Sequence, residues 1–265
     1  MKKIILILTC LALTLALLAG CASSQGQKPS APAAAPTTVS TTEPTTEVTA
    51  EPTQGTTEEA VVDEVEASTY YIQSVYPQQI QRYYNAISQQ WDDMTCLDNG
   101  ISALVARYYD GTPLDNVGFA FMDLDGDGIW ELIIGAILNA ERDPLVFEIW
   151  GLKDSEPVML AQSGSHNRYY LQCADDMWTV GYEAENGAAN RAVYSLKLVN
   201  GEFQVVEGVV FDALANEENP WFQTTDLDMD GSNDTPITED AATALMSAVR
   251  STYTATEYFP YNLYQ

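Results

Sequence analysis

Positive charge is scarce in this chain: 11 Lys and Arg stand against 38 Asp and Glu in 265 residues, and there is a single His. From Ser68 onward, 30 acidic residues face eight basic ones, a net charge of −22. So acidic a surface repels phosphate backbones, which excludes nucleic acid as a partner, and it attracts cations. Cysteine is scarce as well. With one His and no Cys-x-x-Cys pair among four cysteines, the ligands of a structural zinc site are missing. No serine sits in a nucleophile elbow; His166, within Ser163-Gly164-Ser165-His166-Asn167, has serines nearby but no catalytic frame. The longest apolar stretch, Ile4 to Ala19, falls short of the about 20 residues of a membrane-spanning helix.

What is present begins with that stretch. Met1-Lys2-Lys3 precedes it, and Leu18-Ala19-Gly20-Cys21 closes it, so residues 1–20 have the charged start, apolar middle and small-residue end of an export signal. The closing four residues resemble the lipobox of bacterial lipoproteins. That resemblance implies lipidation of the Cys21 thiol, cleavage after Gly20, and anchoring to the extracytoplasmic face of a cell membrane. Residues 21–67 are rich in Pro, Thr, Ala, Ser and Glu without apolar periodicity. Such a segment cannot bury enough apolar surface to offset its chain entropy, and it reads as a disordered tether. Residues 68–265 read as one globular domain.

Within that domain, Tyr76, Ile80, Tyr83, Tyr84, Ile87 and Trp91 recur at helical spacing, with Pro77 suited to a first turn; a second helix is predicted over Gly100–Tyr109. Short β-type segments follow at Val117–Met122, Trp130–Leu138, Leu145–Leu152, Val158–Gln162, Tyr169–Cys173, Trp178–Tyr182, Ala192–Val199 and Phe203–Phe211, the last two joined by the hairpin dipeptide Asn200-Gly201. Thr238-Glu239-Asp240 caps a final helix through Thr252. The expected class is α+β: an antiparallel meander of seven or eight strands with helices at both ends of the domain.

The chemistry concentrates in Asp123-Leu124-Asp125-Gly126-Asp127-Gly128-Ile129-Trp130-Glu131. Carboxylates at i, i+2 and i+4 in a tight loop can aim at one point, and Gly128 permits the turn. Ile129 would add its backbone carbonyl and Glu131 a further carboxylate, an all-oxygen set that suits calcium. Position twelve of an EF-hand loop should be a bidentate Glu and is here Ile134, inside an apolar run, so a helix-loop-helix is rejected. The stretch resembles the shorter D-x-D-x-D-G-x-x-[DE] loops that join β-strands in integrin-type propeller repeats and related extracellular domains. The bland alternative is an acidic hairpin turn using Asp and Gly for their turn preferences. The same spacing recurs at Asp226, Asp228, Asp230, Gly231 and Asp234, a possible second metal loop. Cys96 and Cys173 could form a disulfide or remain two buried thiols. Trp91, Trp130, Trp150, Trp178 and Trp221 are core residues by default and sugar-stacking platforms only if exposed.

Tyr83-Tyr84-Asn85-Ala86-Ile87, Val117-Gly118-Phe119-Ala120, Asp123-Leu124-Asp125-Gly126-Asp127-Gly128, Arg168-Tyr169-Tyr170-Leu171 and Asn219-Pro220-Trp221-Phe222 together resemble a group of uncharacterised surface lipoproteins of Gram-positive, gut-type bacteria. The resemblance implies surface display and calcium, and attaches no activity. The expected function is a calcium-stabilised, non-enzymatic binding module for an extracellular or envelope ligand such as a glycan. The rivals are a carboxylate-dependent surface hydrolase with structural calcium, and a purely structural envelope protein.

Overall fold

In a computed structural model of the chain, the described residues are 66–137, 144–174 and 177–264, all within one unit, Gly55–Gln265. The export signal, Cys21 and nearly all of the tether lie outside them, as does Leu138 at the end of one expected strand.

The domain enters through a helical segment, 66–70, that continues into a π-helical turn, Tyr71–Val75. Helix α1, Pro77–Ser88, takes Pro77 in its first turn and buries Ile80, Tyr83 and Ile87 from the face read by spacing, together with Ala86. It ends before Trp91 because Gln90 turns left-handed at φ 50°. A short helix missed in the sequence, α2 (Asp93–Asp98), starts where Asp92 accepts the Thr95 amide. The predicted helix over Gly100–Tyr109 is instead a 3₁₀ segment, Ala103–Tyr108. Gly100 at φ 67° and the Ser102 cap on Leu104 delay its start to Ala103, and the Val105 amide bonds the Ser102 carbonyl in the tighter i to i+3 pattern. The brief α3, Pro113–Asn116, leads into the sheet.

The sheet has eleven strands, which corrects the expected seven or eight. The eight expected segments appear in order as β1 (Val117–Met122), β2 (Glu131–Ala136), β3 (Leu145–Lys153), β4 (Glu156–Gln162), β5 (Asn167–Ala174), β6 (Met177–Glu185), β7 (Asn190–Val199) and β8 (Glu202–Asp212). The additions are β9 (Trp221–Thr224), β10 (Thr235–Pro236) and β11 (Phe259–Pro260). They are two to four residues long, so alternation has no room to show; β10 and β11, which end in proline, lie at the two edges of the sheet. The order is β10-β9-β8-β7-β6-β5-β3-β2-β1-β11, all antiparallel. Strand β3 forks the meander: Glu148–Lys153 pair with β4, while Leu145 and Val146 pair with β5.

Both faces of the sheet are covered near β2. Leu132 and Ile134 enter a core shared with α1, α2 and the 3₁₀ segment, while Ile133 between them enters a second core. That explains why this strand reads as a continuous apolar run. The second core also draws on Val146, Ala161, Leu171, Val180, Leu196 and Val210, one residue from each of β3 to β8, so the sheet curls with this face inward. Its end strands β10 and β11 do not pair with each other. Helix α4, Glu239–Ser251, capped by Thr238 as expected, lays Ala242 against Val209 and Trp221.

A buried carboxylate stitches the first core. Glu148 on β3 is fully enclosed and accepts from the Ser102 amide (3.2 Å), Gln162 Nε2 (2.9 Å) and Trp150 Nε1 (2.7 Å), with Arg82 at 3.6 Å. Burial pushes its carboxyl above the usual range, and these donors pull the other way.

Candidate metal loops and a cationic groove

The first acidic loop joins β1 to β2, whose ends Met122 and Glu131 are register partners. Its shape follows from Asp123, which gathers three amides: Oδ1 accepts from Gly126 (2.7 Å) and Asp127 (3.1 Å), and Oδ2 from Gly128 (3.0 Å). Gly126 and Gly128, at φ 78° and 84°, allow the chain to wrap around that carboxylate. Leu124 points the other way, into the second core. The loop's far side is clamped from the domain's entry: the Trp130 amide donates to Tyr71 Oη and Tyr76 Oη donates to the Trp130 carbonyl, both at 3.0 Å. The Tyr71 ring also stacks on Trp130, centroids 5.5 Å apart.

Oxygens of Asp123, Asp125 and Glu131 lie within 4.8 Å of one another, the one such group of three metal-ligating side chains among the described residues. Two oxygens bound at about 2.4 Å to one ion can be no more than about 4.8 Å apart, so the spacing fits a shared cation. Asp127, also expected there, falls outside this trio; its Oδ1 accepts the Ile129 amide at 2.7 Å. Ile129 itself is exposed at the loop's rim. Glu131 is 5 % exposed. Burial pushes its carboxyl up to about 7, the Leu124 amide opposes this, and the charges of Asp125, Asp127 and Asp123 add to it. The loop opens on a cavity of about 320 Å³ shared with Lys153 and the Asn200-Gly201 turn.

The second loop joins β9 to β10 through a 3₁₀ turn, Gly231–Asn233. Here each Asp caps the amide two residues on: Asp226 that of Asp228 (3.3 Å), Asp228 that of Asp230 (2.8 Å), Asp230 that of Ser232 (2.9 Å). The aspartates therefore step along the chain, where in the first loop one of them collects the turn. Buried Asp212, at the end of β8, accepts the Gly231 amide at 3.2 Å, and Asn190 holds the Met229 carbonyl at 2.8 Å. Asp234 closes the loop. Burial raises its carboxyl's proton affinity, opposed by Thr224 and reinforced by Asp226, Asp228 and Asp230.

A groove of about 310 Å³, with no local signature in the sequence, lies where β5, β6 and β7 meet α4, lined by Arg168, Arg191, Arg250, His166, Glu183 and Glu185 over Trp221. Three of the eight basic residues after Ser68 line it, brought together from separate elements. Arg250 grips Glu183 through two bonds, 2.9 and 2.8 Å. Against the upward push of burial, that guanidinium holds the Glu183 carboxyl below its usual range. The Arg191 guanidinium lies over Phe211 and Trp221, 4.9 and 5.3 Å from the ring centres. Trp221 is floor rather than platform, 6 % exposed.

Cys96 and Cys173 are free thiols. Cys96 Sγ, buried in the first core, is directed at the Trp91 carbonyl (3.6 Å) and Tyr109 Oη (3.9 Å), while Cys173 pairs with Trp178 across β5 and β6.

No protein-family model, curated protein or solved structure matches this chain.

Proposed function

We propose that this chain is an exported surface lipoprotein whose domain is stabilised by calcium in the first acidic loop and binds an extracellular ligand without transforming it. The observation that carries the reading is the meeting of Asp123, Asp125 and Glu131 within 4.8 Å. Three carboxylates that close repel one another, and Glu131 is also desolvated; a divalent cation relieves both penalties. Calcium suits the loop better than magnesium, because its coordination is larger and more tolerant and water from the adjoining cavity can fill the remaining positions. An affinity of about 0.1–1 mM, usual for extracellular modules, makes the ion structural.

Lipid on Cys21 and a tether over residues 21–67 would carry the domain on the extracytoplasmic face, where calcium is abundant. The groove beside α4 supports the ligand half of the proposal. Arg191 rests on aromatic rings in the groove, beside Arg168 and Arg250, and its guanidinium N–H groups suit the hydroxyl and carboxylate oxygens of a glycan. A hydrolase would need a proton donor beside a carboxylate. Glu183 is kept ionised by Arg250, which favours binding over hydrolysis.

Calorimetric titration of calcium into the chelator-treated chain tests the first half: the tighter binding step is expected to vanish in Asp125→Ala, and wild-type protein giving no heat and no melting shift refutes it. For the second half, retention on a glycan array should be lost in Arg191→Ala while calcium binding persists. Uniform absence of retention by the wild type discards the glycan.

A further inference from the structure

The second acidic loop carries an anomaly. Two oxygens buried beside it, Tyr194 Oη and Asp234 Oδ2, have no hydrogen-bond partner, and Tyr194 is 0 % exposed. Buried polar atoms left without partners are rare in folded proteins, and an ion or ordered water is the usual reason for one.

The register explains why Tyr194 points there. Tyr169, Tyr182, Tyr194, Gly208 and Thr224 are successive partners across β5, β6, β7, β8 and β9. The three tyrosine rings stack along this row, centroids 4.5 and 5.7 Å apart. Gly208 leaves the next place vacant: a Cβ there would lie 2.7 Å from Tyr194 Cδ1 and 2.8 Å from Thr224 Cγ2. The Tyr194 ring therefore lies across Gly208 toward Thr224, whose hydroxyl reaches Asp226 Oδ1 at 3.4 Å at the foot of the loop. Consistent with that aim, Asp226, Asp228 and Asp234 all oppose ionisation of the phenol, after burial and Tyr182.

We infer that Asp226 and Asp234, completed by the Tyr194 hydroxyl, hold a second divalent cation of the calcium type. A bridging water would satisfy the two orphan oxygens but would leave the negative charge of the Asp234 carboxylate beside them uncompensated; a cation answers both. The phenol stays neutral and serves as an uncharged oxygen. With two carboxylates in place of three, this site binds more weakly than the first loop, since calcium affinity follows the ligand charge count. The inference stands independently of the first loop.

Calcium stoichiometry, measured by calorimetry on the full chain, is expected to be two for wild type and one for either Asp125→Ala or Asp234→Asn. In Asp125→Ala, terbium luminescence excited through tyrosine should persist, be displaced by calcium, and disappear when Asp226→Ala is added. Tyr194→Phe, with an unchanged circular dichroism spectrum, should weaken the remaining site about tenfold, the scale of one good polar contact. One ion in wild type, lost in Asp125→Ala, overturns this inference and leaves the first loop standing. One ion lost instead in Asp234→Asn supports it and removes the first loop. Should Asp234→Asn not fold, Tyr194→Phe decides: an affinity unchanged within about twofold rejects the assignment.

Discussion

Glu131 Oε2 accepts the backbone amide of Leu124 at 2.9 Å, tying the last carboxylate of the first loop to its second residue. The same side chain is buried, with a carboxyl pushed up to about 7. In the unfolded chain a glutamate titrates near 4.3. The ion-free folded state therefore holds this proton more tightly, and its stability falls as pH rises from about 4.3 through 7, then levels off. The span is on the order of 3 kcal/mol. Chelator-treated protein should melt on the order of 10 °C lower at pH 8 than at pH 5. Calcium binds the ionised form, so it should restore most at pH 8 and least at pH 5. Thermal melts of Glu131→Gln should lose most of that pH dependence; a wild-type profile no steeper than the variant's refutes the assignment.

Glu148 makes a different prediction, because its donors are protein groups. Glu148→Ala leaves the buried Trp150 indole and Gln162 amide without their carboxylate acceptor and takes the counter-charge from Arg82, and a loss of about 3 kcal/mol is expected in urea unfolding. Glu148→Gln keeps the shape and one acceptor oxygen and should lose less. Adding calcium should leave the Glu148→Ala deficit unchanged, which separates this network from the loop.

The two free thiols should react in sequence. Cys173 is half-buried on β5, whereas Cys96 is 0 % exposed and burial pushes its thiol up. Alkylation followed by peptide mapping should label Cys173 under native conditions and Cys96 only at denaturant concentrations that unfold the first core. Equal labelling rates contradict the packing around Trp91 and Tyr109.

How much of this was legible in the sequence depended on how local the cause was. Asn200 and Gly201, at φ 51° and 77°, form the hairpin turn their dipeptide announces. Asp123 and the glycines of the first loop act within a few residues of one another, and the loop was read correctly as a β-hairpin connection. Which carboxylates converge was not local: Asp127 turns to Ile129, while Tyr71 and Tyr76 fix Trp130 from the entry segment. The groove was invisible for the same reason. Arg168, Arg191 and Arg250 come together only when β5, β7 and α4 pack. The short β9, β10 and β11 span too few residues for alternation to show, and pairing with the sheet defines them.

Strand β11, two residues long, bears on how the molecule is made. Phe259 and Pro260 pair with Phe119 and Gly118 of the first strand across a long separation in sequence, and Tyr261 beside them is sealed into the first core against Phe119. A polypeptide emerging with its amino end first can pair β1 with β2 early, but that core stays open until residues 259–261 arrive. Such distant closure must offset the entropy of closing a long loop, which slows the step that completes this core. Until it occurs, the aromatic face around Phe119 is exposed to whatever the nascent chain meets.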